Sequence, residues 1–185
     1  MLIRVFRHAC FAGLFALLFS FSRDTVAQSL KVTVEDLADV STSVVHGKTT
    51  RVHSYWTQDK RYIMTDVTIQ VDGAMKGSAL SETVVTIPGG RVGSTLYEVS
   101  DMPVFVEGEE VVVFVWEYPS GTRTVTGGMK GKLTVVDDPV SSRKIVLGAN
   151  ELFNPAPAAK TDLSAPRTNM SLDEFSKRIK EIGER

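Results

Sequence analysis

Metal-binding residue types are scarce in this chain, which has three histidines and one cysteine among 185 residues. Without residues 1–27, which are argued below to be removed, only His46 and His53 remain and no cysteine. Their odd separation places them on opposite faces of a regular strand, unless a bulge at Gly47 intervenes. Two imidazoles also leave a zinc site incomplete. The sequence therefore predicts no metal site and no cofactor.

The sequence also gives little support for a site of acid–base or nucleophilic catalysis. The chain has neither a Gly-x-Ser-x-Gly elbow nor a His-Glu-x-x-His pattern. The paired carboxylates Glu109-Glu110 and Asp137-Asp138 are adjacent in sequence, so on a strand they point apart. Acid–base catalysis needs both groups in one cleft. The sequence predicts that the protein is not an enzyme.

Two glycine-rich segments superficially resemble phosphate-binding loops. They are Pro88-Gly89-Gly90-Arg91 and Gly127-Gly128-Met129-Lys130-Gly131. A phosphate loop leads into the N-terminus of a helix, whereas both of these segments lie between predicted strands. We expect the glycines to serve tight turns and bulges.

Aromatic and arginine side chains supply the candidate binding residues. These are Tyr55, Trp56, Arg91 and Tyr97, predicted at strand ends or loop tips. Such residues are typical of binding hot spots because they give a large contact area at low entropic cost. Neighbouring residues on a regular strand face opposite sides, so we expect either Tyr55 or Trp56 to have a core role.

The stretch from Gly108 to Tyr118 must organise the domain that positions these residues. Six consecutive apolar residues, Val111 to Trp116, follow Gly108-Glu109-Glu110 and end before Pro119. The run is too short for a membrane span and rich in β-branched residues. We predict a strand that is buried on both faces.

The other segments predict strands around it. The predicted strands comprise a long hairpin from Ser43 to Val71 with a turn at Gln58-Asp59-Lys60, and shorter segments at 82–87, 93–99, 123–126, 132–136 and 144–147. A capping box at Thr33 to Asp36 predicts a short helix over residues 34–42. The fold class is therefore all-β with minor helices, an antiparallel barrel or sandwich spanning residues 28–150.

The C-terminal part has a different composition. Residues 151–169 are rich in Pro and Ala and predict an extended linker. Residues 170–185 predict an amphipathic helix that begins with the capping box Ser171 to Glu174. Its apolar stripe consists of Leu172, Phe175, Ile179 and Ile182. The helix either docks on its own domain or engages a partner.

The N-terminus has the form of a signal peptide. Arg4 and Arg7 precede an apolar run over residues 9–21, and Thr25-Val26-Ala27 offers a cleavage site after Ala27. An uncleaved anchor is disfavoured because the run falls short of the roughly 20 residues of a spanning helix. The expected location is secreted or periplasmic, with membrane contact only through the transient signal peptide.

The net charge is −1 with the predicted signal peptide, whose residues carry +2, and −3 without it. A weakly acidic domain of this kind is not expected to bind nucleic acid.

Several short motifs carry a resemblance to a known fold. They are the first helix with the strand that contains Gly47, the Met75-Lys76-Gly77 turn after a Val-rich strand, Pro88-Gly89-Gly90, and Phe105 to Glu110 leading into the central strand. Together these motifs resemble those of a group of uncharacterised exported bacterial proteins. Their order along the chain is similar to that in the netrin-like domain, the OB-type barrel of the tissue inhibitors of metalloproteinases. The resemblance covers about residues 33–136 and implies an OB-like β-barrel. Those inhibitors chelate zinc through an N-terminal cysteine, which the predicted mature chain lacks.

These patterns lead to one expected function and two alternatives. We expect an exported, non-enzymatic domain that binds an unidentified exported protein, such as a protease, as an inhibitor-like module would. The first alternative is a structural component of an envelope assembly that docks through the C-terminal helix. The second is an unrecognised hydrolase.

Overall fold

A computed structural model describes residues 32–78, 80–147 and 170–185. These residues form α1 (Val34–Val40), β1 (Ser43–Trp56), β2 (Ile63–Lys76), β3 (Glu82–Pro88), β4 (Gly90–Val92), β5 (Thr95–Tyr97), β6 (Glu110–Glu117), β7 (Arg123–Val125), a 3-10 helix (Gly128–Gly131), β8 (Lys132–Asp137), β9 (Lys144–Val146), β10 (Met170–Ser171) and α2 (Leu172–Gly183). The predicted signal peptide (1–27) and linker (151–169) lie outside the described residues.

Eight strands form one antiparallel sheet in the order β10-β9-β8-β6-β1-β2-β3, with β7 paired to the far end of β6. Strands β4 and β5 form a separate hairpin. Strand β3 approaches β7, but no ladder joins them in the described chain, so the sheet is not closed into a barrel. The mostly β class with minor helices is confirmed, and the OB-like barrel stays a prediction.

Strand β6 is the centre of the sheet, as predicted. All of its residues from Val111 to Val115 are buried. Val112 and Phe114 point into a helix-side core, which α1 and α2 cover, while the odd-numbered valines point into a strand-side core between β1, β2, β3 and β7. A strand with a core on each side must be apolar at every position, which explains its unbroken valine-rich run.

Helix α1 begins with the predicted capping box. The Thr33 hydroxyl accepts from the Asp36 amide, and the Asp36 carboxylate accepts from the Thr33 amide. The helix ends at Val40, before the predicted end at residue 42, because Ser41 is already extended. The Lys76 ammonium group donates to the carbonyls of Ala38 and Ser41 and so ties the end of α1 to β2.

Helix α2 lies over the sheet in the described structure. The Ser171 hydroxyl accepts from the Glu174 amide at the N-cap. Phe175 and Ile179 are fully buried and Ile182 is nearly so, while Leu172 packs at the edge of the same helix-side core. The apolar stripe of this helix is therefore used within its own domain.

The β1–β2 hairpin is long and irregular. Its register shifts between His46 and Gly47, as the predicted bulge requires, and again between Thr49 and Arg51. A Cβ atom on Gly47 would lie 2.1 Å from the carbonyl oxygen of Gln70, so only glycine fits there. Strand β2 continues past its predicted end at Val71 as far as Lys76. The short strand β4 begins at Gly90, within the glycine segment for which the sequence predicts only a turn or bulge.

Candidate binding groove

A groove of about 300 Å³ opens on the strand-side face of the sheet. Its apolar lining includes Val52, Val67, Ile87 and Phe105, and its walls are the β4–β5 hairpin and the segment 98–105. We call this the binding groove. A concave apolar surface with a few polar groups is the usual form of a recognition site.

A pair of hydroxyl groups supplies the polar part of the lining. Thr65 Oγ1 donates to the Gly89 carbonyl at 2.6 Å and lies 2.8 Å from Ser54 Oγ. A hydroxyl has one hydrogen, so Ser54 must be the donor in the second bond. The remaining lone pairs of Ser54 can accept a hydrogen bond from a ligand. The backbone at Gly90, whose φ is +134°, passes close to these two hydroxyl groups. A Cβ atom on Gly90 would lie 2.3 Å from Thr65 Oγ1.

Lys132 fixes the wall formed by the segment 98–105. Its ammonium group donates to the Val104 carbonyl at 3.0 Å and to Glu109 at 2.7 Å, and it lies 5.3 Å from the centre of the Phe105 ring. Both members of the ion pair are largely buried. This wall is therefore held in place although it has no regular secondary structure.

Two of the four predicted binding residues, Arg91 and Tyr97, line the groove together. Arg91 is exposed on β4, and the Tyr97 ring lies 6.2 Å from the ring of Tyr62. Leu96 and Val104, which also line the groove, are 49% and 77% exposed. The groove thus joins an arginine, aromatic rings and exposed apolar side chains.

The other two predicted residues do not line the groove. Tyr55 lies on the opposite face of β1, where its ring stacks on His53 and its hydroxyl donates to Asp66 at 3.2 Å. Burial, followed by the charge of Asp66 and this hydrogen bond, raises the pKa of Tyr55. Trp56 is 40% exposed. The expected core role for one of the pair is wrong, because the hairpin extends beyond the core at this end.

The structure assembles a polar cluster that the sequence did not indicate. Ligand atoms of His46, Asp72 and Glu110 lie within 4.8 Å of one another, a spacing that could hold a metal ion. However, the Lys144 ammonium group already donates to both oxygens of Glu110 at 2.7 Å. The residues come from four strands, so no sequence spacing predicts the group. His53 has a different partner, the Tyr55 ring.

The titration of Glu110 follows from these contacts. Burial raises its pKa, but hydrogen bonds from Lys144 and His46, with their charges, outweigh that effect and hold the pKa below 4.5. The hydrogen bond to Glu110 in turn raises the pKa of Lys144. The ionised carboxylate is therefore the form that the fold stabilises.

We expect an acid-dependent loss of stability at this cluster. Because folding lowers the pKa of Glu110, its contribution is complete above about pH 4.5 and disappears as the pH falls through the folded-state pKa. The urea midpoint of Glu110→Gln should therefore fall less than that of the wild type between pH 6 and pH 3. Glu82→Gln, at an exposed residue, is the control and should follow the wild type. Identical profiles for all three proteins would contradict this assignment.

The remaining motifs do not form sites. Neither glycine segment leads into an α-helix, because Gly90 starts β4 and Gly128–Gly131 is a single 3-10 turn before β8. The residues Ser141 to Lys144 match the Ser-x-x-Lys pattern of some serine enzymes. The Ser141 hydroxyl donates to Asp138 and Lys144 pairs with Glu110, so these two groups do not activate each other.

No family model, curated protein or solved structure matches the chain. Within the described residues, no helix is long and apolar enough to cross a membrane.

Proposed function

We propose that this chain is an exported, non-enzymatic domain that binds a segment of another protein in the binding groove. The observation that carries the proposal is the combination of Arg91 and Tyr97 with the exposed apolar side chains of Leu96 and Val104 around one concavity. Arginine and tyrosine contribute much of the binding energy of protein interfaces, where they lie beside apolar surface that loses its water on binding.

The lining of the groove favours binding over catalysis. An activated nucleophile needs a base within hydrogen-bond reach. The Ser54 hydroxyl is 2.8 Å from Thr65, which is not a base. The described residues that line the groove include no histidine, lysine or cysteine, and their one carboxylate, Glu98, forms no hydrogen bond with Ser54. This supports the non-enzymatic function over an unrecognised hydrolase.

We further propose that the domain is an open variant of the OB-type or netrin-like barrel. Strand β1 pairs with β2 on one side and β6 on the other, and β3 approaches β7. Five strands thus nearly enclose the strand-side core, as in a partly open OB barrel. The inhibitor version of the function, with an exported protease as partner, follows from this resemblance and requires a mechanism without cysteine.

The assembly alternative has less support. It requires the apolar stripe of α2 as a docking surface, but Phe175, Ile179 and Ile182 are buried against the sheet of the same chain. Export itself follows from the signal-peptide pattern of residues 1–27, with cleavage after Ala27. A secreted or periplasmic location is consistent with a predicted mature chain free of cysteine.

The groove can be tested with peptides. A displayed library of random 12-residue peptides is selected on the chain without its predicted signal peptide, and enriched peptides are measured by fluorescence polarisation. We expect Arg91→Glu and Tyr97→Ala each to weaken binding about tenfold, because each removes a central contact.

Trp116→Ala is the matched control for these variants. This side chain is 39% exposed but does not line the groove, so its loss should leave the affinity unchanged. The proposal fails if no peptide is enriched, or if enriched peptides bind the two groove variants as they bind the wild type.

A further inference from the structure

The second half of β1 has a strand partner on one side only. Strand β6 pairs with β1 from Ser43 to Lys48, whereas β2 pairs with β1 as far as Trp56. From Arg51 to Trp56, no strand of the described structure pairs with the edge of β1 that faces away from β2. A free strand edge presents unpaired backbone amides and carbonyls.

Hydrogen bonds at both ends show which residues face this free edge. The Thr57 amide donates to the Tyr62 carbonyl, towards β2, whereas the Val52 amide donates away from β2, to Glu107. Backbone groups alternate in direction along a strand. Ser54 and Trp56 therefore point outward with Val52, and in the described residues their outward backbone groups have no hydrogen-bond partner.

The contact of Glu107 indicates what this edge binds. A carboxylate oxygen of Glu107 lies 3.0 Å from the Val52 nitrogen, in the position that a neighbouring strand would fill with a carbonyl oxygen. The Val52 amide of this edge thus already donates to an acceptor from a loop, the Glu107 carboxylate. The next two outward residues, Ser54 and Trp56, offer the same geometry to an external chain.

The free edge also borders the binding groove. Val52 and Ser54 line the groove with their side chains. Directly paired residues on neighbouring strands project their side chains to the same face of the sheet. A strand added along this edge would therefore project every second side chain towards the groove, where Arg91 and Glu98 provide charges of both signs.

We propose that the partner segment binds as an extended strand that adds to the free edge of β1 and hydrogen-bonds to Ser54 and Trp56. This inference rests on the proposed function and specifies its mode, β-strand addition. Between Val52 and Trp56 the edge is about 13 Å long, enough for about five extended residues. Main-chain bonds then hold the segment, and the groove selects its side chains.

N-methylation of the bound peptide tests this mode. An enriched 12-residue peptide is synthesised with a single N-methyl group at each position in turn. Strand addition predicts alternation, with affinity about tenfold lower where the amide faces β1 and nearly unchanged at intervening positions. A peptide that depends on Arg91 and Tyr97 but shows no alternation would overturn strand addition and leave the proposed function intact.

Amide exchange measured by NMR gives an independent readout. In the free chain, the amides of Ser54 and Trp56 should exchange faster than those of His53 and Tyr55, which face β2. Bound peptide should slow the exchange of Ser54 and Trp56 selectively. Protection of both amides before any peptide is added would overturn the proposal. In that case, concentration dependence of the protection would identify a second copy of the chain as the occupant, and its absence would identify the chain itself.

Discussion

Replacing Phe175 by alanine is expected to lower the free energy of unfolding by about 3–5 kcal/mol. The side chain is fully buried, and its ring meets the Phe114 ring edge to face with 6.5 Å between centroids. Alanine would leave a cavity between α2 and the central strand and would also remove the aromatic contact. Urea unfolding followed by circular dichroism measures the loss.

Lys177→Ala is the control for this prediction. The Lys177 side chain lies on the same helix but is 77% exposed, so its removal should change stability by less than about 0.5 kcal/mol. A loss below about 1.5 kcal/mol for Phe175→Ala would mean that α2 contributes little to the core.

This packing limits what truncation can show about function. A chain that ends before Met170 lacks β10 and α2, which together supply Met170, Phe175, Ile179 and Ile182 to the helix-side core. Removing them exposes the apolar face of the sheet. Loss of a partner by such a chain would therefore report unfolding as readily as loss of an interface, and point variants in the groove are the better test.

Replacing Gly47 by alanine is expected to cost about 3 kcal/mol, the upper end of the usual range for overpacking. The new methyl group would lie 2.1 Å from the Gln70 carbonyl oxygen, and this neighbour is backbone in the paired strand. A flexible side chain could move aside, but this backbone atom can move only if the bulged hairpin changes register. Thermal and urea unfolding measure the effect.

Gly73→Ala is a closely matched control, because Gly73 pairs with His46 in the same hairpin. A Cβ atom at Gly73 has no neighbour within 4 Å. Alanine there should be neutral or slightly stabilising, since it reduces the freedom of the unfolded chain. Equal losses for the two variants would show that the cost arises from glycine replacement in general and not from the close approach at Gly47.

Local patterns in the sequence predicted most of the elements correctly. Residues close together in the sequence specify three of these features: the valine run of β6, the capping box at Thr33 and the apolar stripe that begins at Leu172. The predicted ends of the helices and strands were less accurate. Strand β2 continues to Lys76 because pairing with β1 overrides the turn signal around Ala74.

The site was only partly predictable. Residue type alone selected Arg91 and Tyr97, which the fold brings to one groove, but the same reasoning selected Tyr55, which the fold places on the opposite face of β1. The sequence did not indicate Glu107 or Ser54, because these residues are 53 positions apart and come to the same strand edge only in the fold. Their roles depend on the point at which β6 stops pairing with β1.

The sequence by itself determined most of the strands, the two α-helices and their buried faces, because hydrophobic periodicity and capping act over a few residues. Only the tertiary structure decided that β6 stops pairing with β1 at Lys48, that Lys132 holds a wall over Phe105, and that α2 covers its own sheet. These features depend on contacts between residues far apart in the chain, whose geometry no local pattern encodes.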